Sequence, residues 1–550
     1  MGSSKHGHTV TFGRRSLLLG SAALAAGAAG LTGCGGDGNG PRSKGAASGG
    51  KLTPPTYVPF PGVEPDIPPN DQGVPAAFFD FPNPPLERDG FPLRTSKPIT
   101  MLLQGSALDV PPAQNTHFKL LEKAIGAKIN MIFGGFVEYK DKFQVTMASG
   151  DLPDIVMMIT VPGLPQLLAS KFTDLTGYLS GAKVEEYPGL ASIPSDGWKV
   201  PELEGRLWGI PQARPSVGRI LSTRGDLLEK KGIERSPKLD SGQDFLALLE
   251  ELTDAKNNVF AMGADPQAWL LEAILEMMEA PNGWREEGGK FVSVLESEEM
   301  KAALEKSAKI WKAGYLHPNS FSDAGSNFEW LRAGTTSLYL QAFSGWGQYA
   351  QDYPDWQMGV IALPKWEGGG PARKHLDPAG YGAYAAIRQQ ESEDRLREIL
   401  RVLDYIASPF GTKQYLEVNY GVEGQHYTMT DGNPVPTKRA AGERVRPIQY
   451  CGSQLNSLLY IAGQAEVVKE QHAFLTRVMP GGEQDASYGL YSETAVTKGA
   501  TAALEVTDAQ KEMIQGRRPL SEWDAVVKEW RQAAGDRIRG EYEEAAAKAR

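Results

Sequence analysis

Three short apolar runs separated by helix-like stretches constrain this chain more than any other feature. Pro98-Ile-Thr-Met-Leu-Leu-Gln104 suits a buried strand, Ala127-Lys-Ile-Asn-Met-Ile-Phe133 alternates as a strand should, and Asp154-Ile-Val-Met-Met-Ile159 is a further buried run. Between them Thr116 to Ile125 and Val137 to Ala148 read as helices, the second ended by Ser149-Gly150. Strands separated by helices of about ten residues imply βαβ units and a largely parallel sheet. Such sheets bind ligands beyond the carboxyl ends of their strands, near a topological switch point. Gly205 to Pro211 and Gly218 to Thr223 read as extended segments, and Leu338-Tyr-Leu340 and Met358 to Pro364 as strands. Ser241-Gly-Gln-Asp244 has the form of a capping box before Phe245, Leu248, Leu249 and Leu252. Met300 to Lys312, Asp394 to Ala407 and Glu522 to Ala534 carry helical periodicity. No internal repeat is evident, which argues against solenoids and propellers.

The first 34 residues carry a different signal. Gly13-Arg14-Arg15-Ser16 leads into an apolar run from Leu17 to Leu31 built of Leu, Ala, Gly and Ser, then Thr32-Gly33-Cys34. The run falls short of the roughly 20 apolar residues that span a bilayer. A basic start, a short apolar stretch and small residues before a cleavage point mark an export signal. The arginine pair resembles the twin-arginine motif. Leu-Thr-Gly-Cys resembles a bacterial lipobox, in which Cys34 is acylated and becomes the mature N-terminus. An ordinary secretory signal cut near Ala28 would leave Cys34 incidental. Residues 1–33 are therefore read as a twin-arginine-type lipoprotein signal peptide, with Cys34 the anchor to the outer face of the cytoplasmic membrane. Residues 34–95 hold that cysteine, a Gly/Ser/Asn/Ala-rich tether to Lys51, and a Pro-rich segment carrying Tyr57, Phe60, Phe78, Phe79, Phe81 and Phe91. A linker that stays disordered is poor in aromatics, so these rings are expected to dock in part on the body. No later stretch reaches transmembrane length.

The chain holds 57 Lys+Arg against 67 Asp+Glu, a formal charge of −10. Lys5, Arg14 and Arg15 lie in the signal, so the body is more acidic still. That balance argues against nucleic acid, which needs clustered cations to neutralise phosphate, and leaves an uncharged ligand open. Cys34 and Cys451 are the two cysteines. Lipidation of the first leaves the second without a partner, so the fold stands without disulfides in an oxidising location, as a chain of this size can. Signs of catalysis are sparse. The histidines, at 6, 8, 117, 317, 375, 426 and 472, are scattered, and two lie in the signal. HExxH, CxxC and Gly-x-Ser-x-Gly are missing, as is a phosphate loop ending in Lys-Ser or Lys-Thr. Paired carboxylates for sugar hydrolysis are usually far apart in sequence, and no pair stands out among so many.

Several segments point instead to binding. Ala148-Ser-Gly-Asp-Leu-Pro-Asp-Ile155 resembles the Ser-Gly-Asp-x-Pro-Asp-Ile signature of extracellular solute-binding proteins of ABC importers. In the same order, Glu204-Gly-Arg-Leu-Trp-Gly-Ile-Pro211 resembles that family's Gly-Lys-x-Tyr-Gly-Ile-Pro segment. Thr223-Arg-Gly-Asp-Leu-Leu-Glu-Lys-Lys-Gly-Ile233 resembles its Arg-x-Asp-x-Leu-x-x-x-Gly-Ile run. Asn419-Tyr-Gly-Val-Glu-Gly-Gln-His-Tyr427, Arg517-Arg-Pro-Leu-Ser-Glu-Trp523 and Arg539-Gly-Glu-Tyr542 are similar to blocks of its large, carbohydrate-type, LipO-like lipoprotein branch. The resemblance covers roughly residues 96 to 550. One departure concerns a calcium-like loop carried by many members of that branch. The corresponding Leu252-Thr-Asp-Ala-Lys-Asn-Asn-Val-Phe260 lacks the spaced carboxylates a hard cation requires, so no metal or other cofactor is expected.

The resemblance implies an α/β, two-lobed type II periplasmic-binding-protein-like fold with hinge strands and a central ligand cleft. Lobe 1 would take 96–213 and 367–440, and lobe 2 would take 222–365 and 441–550 with the C-terminal helices. Closure on a carbohydrate, expected to be an oligosaccharide, would let a monomeric receptor hand its solute to a membrane permease. It also implies a ligand-contacting aromatic at the position of Trp346, after the strand Leu338–Leu340, where glycines flank the ring. A flat aromatic face suits the C–H face of a sugar, with a few placed polar groups for its hydroxyls. Trp208 and Tyr381, each beside a glycine, are further stacking candidates, while Trp311, Trp523 and Trp530 read as core. Arg214 has the donor fork for hydroxyl or carboxylate oxygens, and equally suits a hinge salt bridge. Thr160 follows a strand end, and Glu423 and His426 either touch ligand or hold their loop. Asp151 and Asp154 read as turn and helix caps. Two rival readings are a lipid-anchored glycan hydrolase or lyase and a scaffold lipoprotein without a small ligand.

Overall fold

The computed structural model describes residues 52–105, 107–135, 138–378 and 380–549, with the side chains of 380, 381 and 549 left out. The signal, Cys34 and the tether lie outside the described residues. Nine main strands follow in chain order as β1 (Ile99–Gln104), β2 (Ile129–Gly134), β3 (Ile155–Met158), β4 (Ile210–Ala213), β5 (Arg219–Thr223), β6 (Phe260–Met262), β7 (Thr336–Ala342), β8 (Gly359–Ile361) and β9 (Gly380–Ile387). They form two sheets, ordered β2-β1-β3-β9-β4 and β8-β5-β7-β6.

The first sheet realises the βαβ pattern. β1 pairs in parallel with β2 and β3, and the helices α1 (Thr116–Ile125) and α2 (Tyr139–Ser149) connect them. α1 starts where the Asn115 side chain accepts the Phe118 N–H and stops at Gly126, φ 79°, a left-handed conformation that glycine adopts without a Cβ penalty. His117, Phe118, Leu121 and Ile125 form its buried face. The antiparallel β9 and β4, both from later in the chain, complete the sheet. In the second sheet β7 runs parallel to β6 and antiparallel to β5, and β8 is antiparallel to β5. The expected helices at 300–312, 394–407 and 522–534 appear as Glu298–Ala313, Glu393–Ile406 and Trp523–Trp530, the last followed by a π-type turn to Gly535.

Each sheet has its own core. Ile99, Leu102, Ile155, Met157, Ile210 and Ala385 belong to the first. Leu221, Met262, Leu338 and Ile361 belong to the second, together with Trp523, Val526, Val527 and Trp530 as one buried stripe. The residues following 440 do not all side with the second sheet. Val445, Ile448 and Cys451 pack in the first core, because the turn Arg446–Cys451 lies against β4 and β9. Burial pushes the Cys451 thiol up to about 12.

The Pro-rich segment is docked on the body. Phe78 and Phe81 meet Phe410 with ring centroids 4.3 and 4.9 Å apart, and Phe91 packs edge-on against Tyr405, while Tyr57 stays exposed. Arg88 is buried on Asp404, 2.6 Å away, and also donates to the Asp404 carbonyl and Ser408 Oγ. The second Asp404 oxygen accepts the Gly189 and Leu190 N–H groups. A buried pair is tolerable only when its remaining lone pairs and protons are satisfied in this way. Among the described residues no helix is long and apolar enough to cross a membrane.

Candidate functional site

Strand direction locates the site. β6, β7 and β8 point the same way, so their carboxyl ends share one edge of the second sheet, where β5 enters at Arg219. The chain leaves the first sheet at Ala213 and reaches Arg219 within a few residues; it returns from Ile361 to Gly380. These two crossing segments touch: Asp377 N–H donates to Ser216 O at 2.7 Å. A Cβ on Gly218 would fall inside the Asp377 carboxyl group, so glycine is what lets the segments approach.

A cavity of about 400 Å³ opens at that edge. Its lining includes Arg219, Trp269, Glu272, Glu276, Lys374 and Asp377. After β6, Asp265 accepts N–H bonds from Gln267 and Ala268, and Pro266 starts a wide π-type turn. That turn presents Trp269 half-buried at the cavity. Turns of this kind recur at functional sites. The Arg219 guanidinium lies 4.9 Å from the Trp269 ring centroid and pairs with Glu272. Deeper in, Lys374 and Glu276, 6% and 7% exposed, are joined at 2.6 Å. His375 Nε2 meets the Ala280 carbonyl at 2.9 Å, and burial holds the imidazole below its usual value. Asn282 donates to the Leu376 and Glu483 carbonyls, pinning the returning segment to the second lobe.

The residues singled out in the sequence divide into two groups. Thr160 is exposed just past the carboxyl end of β3, and Arg214 is half-buried on the first crossing segment. Close by, Gly163 N–H donates to Tyr491 Oη and Glu493 Oε2 at 2.9 and 3.0 Å, and the Tyr491 hydroxyl donates to Glu493 Oε2 at 2.5 Å. Tyr381 lies on β9 where its pairing with β4 shifts register; its side chain is outside those described. Glu423 is exposed, at an isolated bridge to Tyr427 just before a turn.

Three others are core residues in this structure. Trp346 is 0% exposed. The glycines read as opening its backbone lie inside the helix α3 (Phe343–Asp352), where a Cβ on Gly347 would come within 2.8 Å of Ile461. They serve close packing, and Phe343 and Phe474 meet the indole edge-on. Trp208 is buried with its indole N–H donating to Leu203 O. His426 is fully buried: Nδ1 accepts the Val422 N–H, which leaves Nε2–H for Glu443 at 3.2 Å. Glu443, held chiefly by Arg439 and also by Thr116 and His426, is pulled down to about 2. His117 is likewise sealed, its Nδ1 accepting Val445 N–H and its Nε2 meeting Glu417 O. Burial lowers His117 to about 4.

Sequence reasoning missed Trp269, Arg219, Glu272, Lys374 and Asp377. A usable signal was present for the first: Asp265-Pro-Gln-Ala-Trp269 directly follows a buried strand, so an N-capping aspartate and Pro place the ring at a strand's carboxyl end.

Two sheets, a double crossing and a cavity at the strand ends beside it are the architecture of a hinged receptor that closes on a ligand. The chain belongs to the family of bacterial extracellular solute-binding proteins, whose family model matches residues 117–417. It is similar to lipoprotein LipO of Bacillus subtilis, 22% identical over 453 residues that cover 78% of this chain and 88% of that protein. It is equally similar to the polygalacturonan/rhamnogalacturonan-binding protein YtcQ of the same organism, 22% identical over 452 residues, 79% and 88% of the two chains. Two solved structures share the fold. One is an HMO-binding, ABC-transporter-associated solute-binding protein of Bifidobacterium longum infantis, with TM-score 0.62, 14% identity, and coverage of 82% of this chain and 99% of that one. The other is the N-glycan transport solute-binding protein NgtS of Streptococcus pneumoniae, with TM-score 0.59, 14% identity and the same coverage.

Proposed function

We propose that this protein is a cell-surface receptor, anchored through lipidated Cys34, that delivers a carbohydrate to an ABC permease by closing its cleft. The solute is an oligosaccharide, in keeping with the glycans that name the related YtcQ and NgtS. The observation that carries this reading is Trp269, a half-buried aromatic face among hydrogen-bonding groups at the carboxyl edge of the second sheet. An apolar ring face with a few convergent polar groups is how a pocket holds a sugar. Thr160 and Arg214 supply polar contacts from the facing lobe, and residues 96–213 and 222–365 form the cores of the two moving bodies. The receptor works as a monomer and leaves its ligand intact.

Intrinsic tryptophan fluorescence and calorimetry of the purified protein against a panel of oligosaccharides test this reading, with the ligand analysed for breakdown afterwards. Saturable binding of an intact oligosaccharide is expected; consumption of the ligand, or no response to any glycan, defeats it. For the anchor, Cys34→Ser is expected to move the exported protein from the membrane to the soluble fraction.

A further inference from the structure

We infer that the cavity selects an uncharged glycan over an acidic one, with Glu272 as the specificity-determining residue, an inference that rests on the carbohydrate reading above. Charge accounts for it. Among the described lining residues the full charges are Arg219 and Lys374 against Glu272, Glu276 and Asp377. Both cations are already committed: Lys374 is buried on Glu276 at 2.6 Å, and Arg219 pairs with Glu272 while covering the Trp269 ring. His375 Nε2–H donates to the Ala280 carbonyl, and burial holds the imidazole below its usual value, which favours its neutral form. The exposed Asp377 adds a third carboxylate at the rim.

A sugar carboxylate entering here would meet carboxylates, with both cations of the lining already paired, in a setting less screening than water. A hydroxyl meets the opposite situation, since carboxylates act purely as acceptors and a hydroxyl donates. Arg219 lies over a Trp269 face that a sugar ring would use, so stacking on that face requires the guanidinium to move aside. YtcQ is named for binding polygalacturonan and rhamnogalacturonan, which carry uronates; this cavity is built for a different charge class. The acidic balance of the whole chain, −10, acts in the same direction at longer range.

The test uses pairs of oligosaccharides of equal length that differ only at C6: α-1,4-galactan and galacturonan, mannan and mannuronan, glucan and glucuronan tetramers. Affinities are measured by calorimetry at low and moderate salt. The expected result is binding of at least one neutral member, with its uronate partner at least ~10-fold weaker and the gap widening at low salt. Tighter binding of any uronate than of its neutral partner overturns the inference and leaves the carbohydrate reading standing. Failure of every neutral and acidic member to bind overturns the carbohydrate reading and the inference with it. In Glu272→Gln, which frees Arg219 without changing the size of residue 272, uronate binding should rise ~10-fold or more, with an unchanged melting temperature. A folded Glu272→Gln protein whose ratio of neutral to acidic affinity is unaltered overturns the role of Glu272.

Discussion

The second sheet meets its surroundings in two contrasting ways, and adjacent residues show both. Ile220 packs in a buried cluster with Trp346, Phe343 and Leu475, the last on the helix α4 (Ala465–Val478), and with Val478 it forms an apolar part of the cavity wall. Arg219, one residue earlier, opens onto the cavity beside Trp269 and Glu272. Both regions carry a tryptophan, yet one ring has no exposed surface while the other is half-buried. The difference teaches that aromatic content does not mark a binding surface. Enclosure on all sides turns a ring into stability; enclosure on one side leaves a face for a ligand.

The comparison breaks most visibly at Trp346. Trp346→Ala should cost about 3–5 kcal/mol through the void it leaves, read as a lower midpoint in denaturant melts, with glycan affinity of the folded fraction unchanged. Loss of affinity at full stability would reverse the roles assigned to the two rings.

Acid should strike the sealed histidines next. His117 is held at about 4, chiefly by burial, below the unfolded value of about 6.5. The unfolded chain therefore takes up its proton first as pH falls. The stabilisation is complete above about 6.5 and is lost progressively down to about 4, on the order of 3 kcal/mol in all. His426 is shifted the same way by burial. Glu443 adds a loss between its ordinary value and about 2. Melting temperature against pH should show the decline, and His117→Gln should flatten its upper part.

Trp269→Ala sharpens the contrast from the other side. It should weaken glycan binding by ~10- to 100-fold, about 1–3 kcal/mol, while stability changes by less than about 1 kcal/mol. The smallest effect is expected at Thr160. Thr160→Ala should lower affinity by ~3- to 10-fold, the worth of one hydrogen bond, and leave the unfolding free energy within about 0.5 kcal/mol.

The elements were legible where local chemistry is decisive. The helix Thr116–Ile125 matches its expected bounds because an asparagine cap, a periodic apolar face and a glycine stop are all encoded within twelve residues. β1, β2 and β3 followed from period and length, and the stripe from Trp523 to Trp530 followed from spacing. The candidate site was far less legible. Trp346 sits between glycines, and sequence cannot distinguish a glycine that loosens a loop from one that lets a helix press against Ile461. His426 lies in a motif whose polar partners, Glu443 and Thr116, come from distant parts of the chain.

The sequence by itself determined the alternation of strands and helices, the absence of a catalytic signature and, through ordered short motifs, the receptor family. Those properties rest on side-chain period, residue chemistry and local caps, each spanning a few neighbouring positions. Only the tertiary structure decided which rings stay open and which carboxylate claims which cation. Arg219, Trp269, Glu272 and Asp377 meet because two crossing segments bring the start of one strand, the turn after another and the return path to a single edge. Burial and charge at that edge are properties of the assembled surface, set by distances the linear order of residues does not contain.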